Sequence, residues 1–340
     1  MKAAVLSGRR VMKIQERPKP KPAPGEVLVR VRSVGVCGSD VHYYAEGKIG
    51  KNVVAEPIVL GHEASGDIAE VGAEVKGLAV GQRVALDPGL SCGSCQACRI
   101  GRPNLCQNVK FYATPPVDGT LQEFVVAHPD QVLPIPDEMS YDTAAMLEPL
   151  QNSLRALMLV PTCPGDYVAV FGCGVIGLAC IQLAKAAGAT RILGVDMLEY
   201  RIETARELGA TRVVNAKTGD PVVAGLDMTG GRGVDKVYEC TGYAITQGAQ
   251  MSAIGARMAV VGIPAREVAL DFQAIRRREL DIQFTRRFCG TGQRAIELVA
   301  SEKVNVSRWI THTYALDDVA EAFETVADYR DNVLKAVVNL

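Results

Sequence analysis

Four cysteines, Cys92, Cys95, Cys98 and Cys106, form a C-x2-C-x2-C-x7-C run on one short segment. Thiolates at this density suit tetrahedral zinc in a closed, structural site, because four soft anionic donors fill the coordination sphere. Gly93 and Gly101 let the backbone wrap an ion. A disulfide pair and an iron–sulfur cluster are the alternatives. The lack of a secretion signal weighs against the first, and the spacing resembles iron–sulfur patterns only loosely. A second set is dispersed: Cys37 in Gly35-Val-Cys-Gly-Ser-Asp40, His62 and Glu63 in Gly61-His-Glu, and Glu148 in Leu147-Glu-Pro149. One thiolate, one imidazole and carboxylates suit a catalytic zinc that keeps one position open. Spacing does not bring them together. Taken singly, Cys37 reads as a buried apolar residue, Glu148 as a solvated one and His62 as structural.

The third constellation is Gly172-Cys173-Gly174-Val175-Ile176-Gly177, a G-x-G-x-x-G turn. It follows an expected strand, opens an expected helix and has Asp196 about 20 residues on, the context of a dinucleotide site. Its glycines permit a tight turn, close approach of a pyrophosphate and close helix–strand packing. The N–H groups at the helix start would receive the phosphates. Asp196 would bond the ribose hydroxyls and repel a 2′-phosphate, favouring NAD over NADP, while Arg201 is the counter-argument. The bland alternative is a ligand-free turn with Asp196 as a surface cap.

These groups need elements to position them. At 340 residues the chain is long enough for two domains. It is 48% hydrophobic and 22% charged, with a formal net charge of -1, which excludes the basic footprint of a nucleic-acid binder. The run Arg17-Pro18-Lys19-Pro20-Lys21-Pro22 reads as an extended, solvated connector. No stretch approaches the ~20 apolar residues of a membrane span. Only Ala3-Ala4-Val5-Leu6 precedes charge at Arg9 and Arg10, so no signal peptide is expected and the cytoplasm is the expected compartment.

The first ~150 residues carry short β-like runs punctuated by glycine, at Val27 to Arg32, Ile68 to Val71 and Arg83 to Leu86. They indicate a strongly bent, mostly antiparallel β domain. Beyond Pro161 the texture changes. Tyr167 to Phe171 is a continuous apolar run, as in a strand buried on both faces. Val175 to Ala187 has helical periodicity, with Gly188 placed to end it. Strands at Arg191 to Asp196, Arg212 to Asn215, Lys236 to Cys240, Met258 to Gly262 and Leu280 to Phe284 follow, with a helix at Glu199 to Leu208. Alternation of this kind predicts an α/β, doubly wound parallel sheet. After about Phe288 an amphipathic helix, Leu316 to Ala327, and a strand, Lys335 to Asn339, are expected to return to the first domain.

On Gly61-His62-Glu63, the four-cysteine loop and the Gly172 turn, the chain resembles the zinc-containing medium-chain dehydrogenase/reductase superfamily over essentially its whole length. Within it, Cys37-Gly-Ser-Asp-Val-His-Tyr43, Phe111-Tyr-Ala-Thr-Pro-Pro-Val-Asp-Gly119 and Glu148-Pro149 look most like sorbitol and xylitol dehydrogenases. The resemblance implies a Rossmann domain over 153–289 and a mostly β, GroES-like catalytic domain over 1–152 and 290–340. It implies Cys37, His62 and Glu63 around a catalytic zinc, with Glu148 acting directly or through water. Either carboxylate is left open as the direct ligand. It also implies Thr241, Val261 and Gly262 beside NAD, and Tyr43, Phe111, Arg287 and Phe288 lining a substrate pocket. Zinc there would acidify the substrate hydroxyl. Ser39 would relay the proton through the nicotinamide ribose to His42, whose ordinary pKa of about 6.5 suits a shuttle. His42 read blandly is an exposed loop residue, and Arg287 a surface neighbour of Arg286. The intact four-cysteine loop departs from the mammalian sorbitol enzymes.

The expected activity is NAD-linked oxidation of a polyol's secondary alcohol to the ketose. An aldonate (idonate or galactonate) or threonine dehydrogenase on the same scaffold is the alternative, and a silent nucleotide-binding protein a third. The expected partner is a small polyol or sugar acid, with no nucleic acid and no membrane, and the chain as a homo-oligomeric dimer or tetramer. His128 and His312 receive no role, and Cys163, Cys173, Cys180, Cys240 and Cys289 read as small buried residues.

Overall fold

A computed structural model describes residues 1–263 and 267–340. The chain folds as two compact units. One comprises Met1–Glu148, Gly292–Ile296 and Val306–Leu340, and the other Pro149–Thr291 and Glu297–Asn305.

The first unit is built on a seven-stranded sheet. Its order is Val132–Pro134, Arg83–Leu86, Glu63–Val71, Val27–Gly35, Lys335–Asn339 and Ile310–Ala315, with Phe124–Ala127 also paired to Val27–Gly35. All these pairs are antiparallel except the last, Ile310–Ala315 with Lys335–Asn339. Valines of Val27–Gly35 and the apolar residues Leu6, Tyr44, Leu60, Leu121 and Phe323 form one core. At about 25 cal/mol per Å² of apolar surface, burying side chains of this size drives the sheet to bend around them. The helix Gly38–Glu46 leaves the end of Val27–Gly35 and stops at Gly47, whose φ of 74° closes the last turn. The C-terminal segment is less uniform than its amphipathic pattern, with a 3-10 turn at Leu316–Asp318 before the α-helix Val319–Ala327.

In the second unit six parallel strands run in the order Arg212–Asn215, Arg191–Asp196, Tyr167–Phe171, Val234–Glu239, Ser252–Val260 and Asp281–Phe284. The order reverses beside Tyr167–Phe171, and the carboxyl ends of strands at such a reversal are where this architecture binds ligands. The apolar run Tyr167–Phe171 is buried except at its first residue, as expected of a central parallel strand.

Two strands are longer than their apolar runs. Glu63–Val71 begins five residues before Ile68, because the small residues Ala64, Ser65 and Gly66 pair with both neighbours. Ser252–Val260 likewise begins before Met258. Among the remaining cysteines, Cys173 and Cys180 are buried as expected, but Cys163 is exposed. It lies in a turn ahead of Tyr167–Phe171, held by its backbone N–H donating to Asp166 Oδ2 at 2.7 Å, so nothing packs it inward. Cys240 and Cys289 are half-buried. No helix among the described residues is long and apolar enough to cross a membrane.

Candidate metal centres and nucleotide turn

The four-cysteine loop closes on itself. Cys106 Sγ lies 3.5 Å from Cys92 Sγ and 3.8 Å from Cys95 Sγ, and Cys95 Sγ lies 3.5 Å from Cys98 Sγ. A tetrahedron with Zn–S bonds of about 2.3 Å has edges of about 3.8 Å, so the four sulfurs fit zinc. Backbone N–H groups point inward as well, from Cys92 to Cys106 Sγ at 3.3 Å and from Cys95 to Cys92 Sγ at 3.4 Å. Such donors favour thiolate, and the Cys92 thiol is pulled down to about 5, first by the Ser94 backbone N–H. Gly93 and Gly101, at φ of 67° and 75°, make the turns that bring these amides round.

The dispersed residues converge in part. Ligand atoms of Cys37, His62 and Glu63 lie within 4.8 Å of one another. The fold explains this. Cys37 follows Val27–Gly35 and precedes the helix Gly38–Glu46, while Glu63 opens the neighbouring strand opposite Gly35. Gly35 is required there, because a Cβ would stand 2.1 Å from Glu63 Oε2. His62 is buried, and its Nδ1 faces the buried Asp40 carboxylate at 3.1 Å. Burial disfavours a charged imidazole, but Asp40 and then Cys37 outweigh it, and the net direction is well upward. The same arrangement suits a cation: with Nδ1–H donated to Asp40, the lone pair of Nε2 is the one a metal would take. The Phe111 ring lies 5.6 Å from the His62 ring, covering it with apolar surface.

Glu148 is not one of the converging three. It is buried at the start of the helix Leu147–Leu159, and its charge is felt by Lys335. Lys335 itself has no signal in the sequence beyond opening a strand. Its buried ammonium reaches both Glu63 oxygens at 2.8 Å and Val36 O at 3.1 Å. Asp40 was visible inside the Cys37 motif, but only the fold turns it toward His62. Ser39 donates to Cys37 Sγ at 3.3 Å. His42 is exposed, with Nδ1 3.2 Å from Glu46 Oε1, one helical turn on. Tyr43 is buried, three residues before the end of the same helix. In the second unit Phe288 is buried, and Arg287 takes φ of 51°.

The glycine turn has the form its sequence implied. Gly172 takes φ of 85°, and a Cβ on Gly177 would stand 1.7 Å from Gly172 O. The helix Val175–Ala186 starts at Gly174. Asp196 ends its strand with Oδ2 accepting from Cys173 N at 2.7 Å and Oδ1 from Met197 N and Leu198 N at 2.7 and 3.0 Å. The carboxylate is thereby locked beside the turn, with lone pairs to spare for a hydroxyl. Arg201 Nη1 is 3.7 Å from where a Gly174 Cβ would sit, so its charge borders the same turn. Thr241, Val261 and Gly262 gather at adjacent strand ends around Glu239. The Thr241 N–H donates to the Glu239 carboxylate at 2.9 Å, and the Val261 and Gly262 N–H groups donate to the Glu239 backbone carbonyl at 2.7 and 3.0 Å. Gly262 is needed there, since its Cβ would meet Gly242 N at 2.1 Å. His128, by contrast, caps a 3-10 turn at Pro129–Gln131, a structural task.

Comparison with known proteins agrees with both units. Residues 23–137 match the alcohol dehydrogenase GroES-like domain, and residues 175–301 match the zinc-binding dehydrogenase family. A sorbitol dehydrogenase of Bacillus subtilis is 39% identical over 99% of this chain and 97% of its own length. An L-idonate 5-dehydrogenase of Vitis vinifera is 38% identical over 99% of this chain and 94% of its own. An Escherichia coli oxidoreductase/dehydrogenase of unknown specificity superposes with a TM-score of 0.95 and 34% identity, covering 99% of this chain and 98% of that one. The chain therefore belongs to the zinc-containing medium-chain dehydrogenase/reductase superfamily, in its polyol dehydrogenase branch.

Proposed function

We propose that the protein oxidises a secondary alcohol of a polyol to the ketose, passing hydride to NAD. The observation that carries this reading is the convergence of Cys37, His62 and Glu63, with the Phe111 ring against His62. One thiolate with an imidazole and a carboxylate is a harder, less thiolate-rich donor set than four cysteines, suited to a cation that must keep exchanging an oxygen ligand. Zinc bound there supplies positive charge that lowers the pKa of a substrate hydroxyl. The chain's own groups do the rest. Asp40 fixes the His62 ring, and Glu148 is the reserve carboxylate of the site. Ser39, which donates to Cys37 Sγ, would turn its hydroxyl to the substrate oxygen and relay the proton, accepting it as its own hydroxyl proton passes on towards His42. His42 is the exit to solvent, with Nδ1–H held by Glu46 and Nε2 left to accept. Cys92, Cys95, Cys98 and Cys106 hold a second, structural zinc.

NAD binds with its pyrophosphate on Gly172, Gly174, Val175, Ile176 and Gly177, and its adenine ribose on Asp196. Arg201 leaves room for some use of NADP. Thr241, Val261 and Gly262 flank the dinucleotide, and Tyr43, Phe111, Arg287 and Phe288 contact substrate. The identity to an idonate dehydrogenase favours one second reading, a sugar acid held by Arg287. The chain works as a dimer or tetramer: Phe284 on the sheet's last strand and Phe272 at the start of the preceding helix are 65% and 75% exposed, large apolar side chains for a monomer to leave bare. Ten unpaired cysteines fit the reducing cytoplasm. A panel of sorbitol, xylitol, galactitol, idonate, galactonate and threonine, each with NAD and NADP, tests the reading. Turnover of a polyol with NAD and two zinc ions per chain are expected. Activity confined to sugar acids or threonine overturns the polyol, and zinc-replete protein inert on all six overturns the enzyme.

A further inference from the structure

The buried ammonium of Lys335 is complete without water. Its three N–H groups have three acceptors, the two oxygens of Glu63 and the carbonyl of Val36. Lys335 and Glu63 are both nearly inaccessible, at 6% and 1% side-chain exposure, so neither charge is screened by solvent. They reach each other across one strand end. Gly35 pairs with Glu63 on one side and Val337 on the other, and the absent Gly35 Cβ leaves the path open. Cys37 and Glu148 lie close enough to favour the charged lysine as well. Each Glu63 oxygen bonded to Lys335 keeps a further lone pair, and one oxygen also lies within 4.8 Å of the Cys37 and His62 ligand atoms.

We propose that Lys335 is a positioning residue of the metal centre: a built-in counter-ion that holds Glu63 in ligand position whether or not zinc is bound. The inference rests on the reading of Cys37, His62 and Glu63 as zinc ligands. Without such a cation, losing the metal would leave the buried Glu63 carboxylate without its counter-charge, and the centre would open. With it, zinc can leave and return to a site that stays built. The fold suits this role, because the C-terminal strand inserted beside Gly35 brings the Lys335 charge onto both Glu63 oxygens from the strand neighbouring Gly35.

The test compares each protein fully loaded and after dipicolinate has reduced it to one zinc per chain, by thermal melting. In wild type the gap between the two forms should be small. In Lys335→Met it should widen by roughly 5 °C or more, because only the stripped form leaves Glu63 orphaned. Lys335→Arg should keep the gap narrow. The double variant Glu63→Gln with Lys335→Met should close it again, since it removes both charges. A lysine that merely packs would lower both forms equally. An unchanged gap in Lys335→Met, or a double variant as weak as Lys335→Met when stripped, overturns the proposal. If Lys335→Met does not fold at all, the double variant decides: folding supports the counter-ion, and failure overturns it. Wild type holding only one zinc, lost with Cys98→Ser, would sink the ligand reading itself and this inference with it. Two zinc ions with an unchanged gap sink the inference alone.

Discussion

Asp87 ends the turn out of Arg83–Leu86, its Oδ1 accepting from Gly89 N at 2.9 Å. Burial pushes its carboxyl up to about 6, only partly offset by that bond. A folded pKa above the unfolded one means the folded state favours the proton. Its contribution is therefore fully present below pH ~4 and is lost as pH rises through ~6. Asp87→Asn keeps the acceptor and removes the charge. It should stabilise the protein above pH 6 by at most about 3 kcal/mol and leave it unchanged near pH 4, as urea melts at the two pH values would show. His42→Ala removes the proposed proton exit. Its kcat for alcohol oxidation should fall by roughly tenfold near neutral pH, with recovery in concentrated imidazole buffer; an unchanged kcat would return His42 to the surface. At this scale the four cysteines and the glycine turn were legible because their members are close in sequence. Asp40 and Lys335 were not. A lysine opening a strand reads as solvated, and Glu63 is its partner only through sheet register across 272 residues.

Elements carry their own tests. Gly177→Ala would drive a methyl group into Gly172 O, which a Cβ would approach to 1.7 Å. The helix Val175–Ala186 would have to shift away from Tyr167–Phe171, moving the amides at its start. NADH affinity, read by fluorescence titration, should weaken at least about tenfold, while zinc content stays at two per chain. In the four-cysteine loop, Cys98→Ser should reduce metal content to one zinc per chain and lower the melting temperature, because the loop's fold is written in its ligand bonds. The strands of the parallel sheet were legible to within a residue or two where they are continuous apolar runs, as at Tyr167–Phe171 and Arg191–Asp196. The strand Glu63–Val71 was only half legible. Its first residues are small or ionic and are strand because both neighbours pair with them. That half carries Glu63, so the proposed metal ligand lay outside the readable part of its own element.

For the molecule as a whole, strand–helix alternation sufficed for the doubly wound sheet, since right-handed parallel crossovers leave few topologies open. The first unit was less determined by pattern. Short antiparallel strands admit many registers, and the insertion of Lys335–Asn339 beside Val27–Gly35 joins residues about 300 apart. Each unit nonetheless has its own apolar core, one around Tyr44 and Phe323 and one around Phe171 and Met258. Each also has its own proposed ligand, zinc in the first and NAD in the second. Ligand binding stabilises the elements that hold the ligand by RT ln(1 + [L]/Kd), about 2.7 kcal/mol at a hundredfold excess over Kd. Hydrogen exchange reads this segment by segment. NADH should slow exchange of the amides from Cys173 to Leu178 and of those following Asp196. Removal of both zinc ions should speed exchange across Cys92 to Cys106 and from Val36 to Val41, where the ligands are anchored. NADH that protects no amide between Gly172 and Leu178 would remove the dinucleotide from the turn, and with it the hydride acceptor on which the proposed oxidation depends.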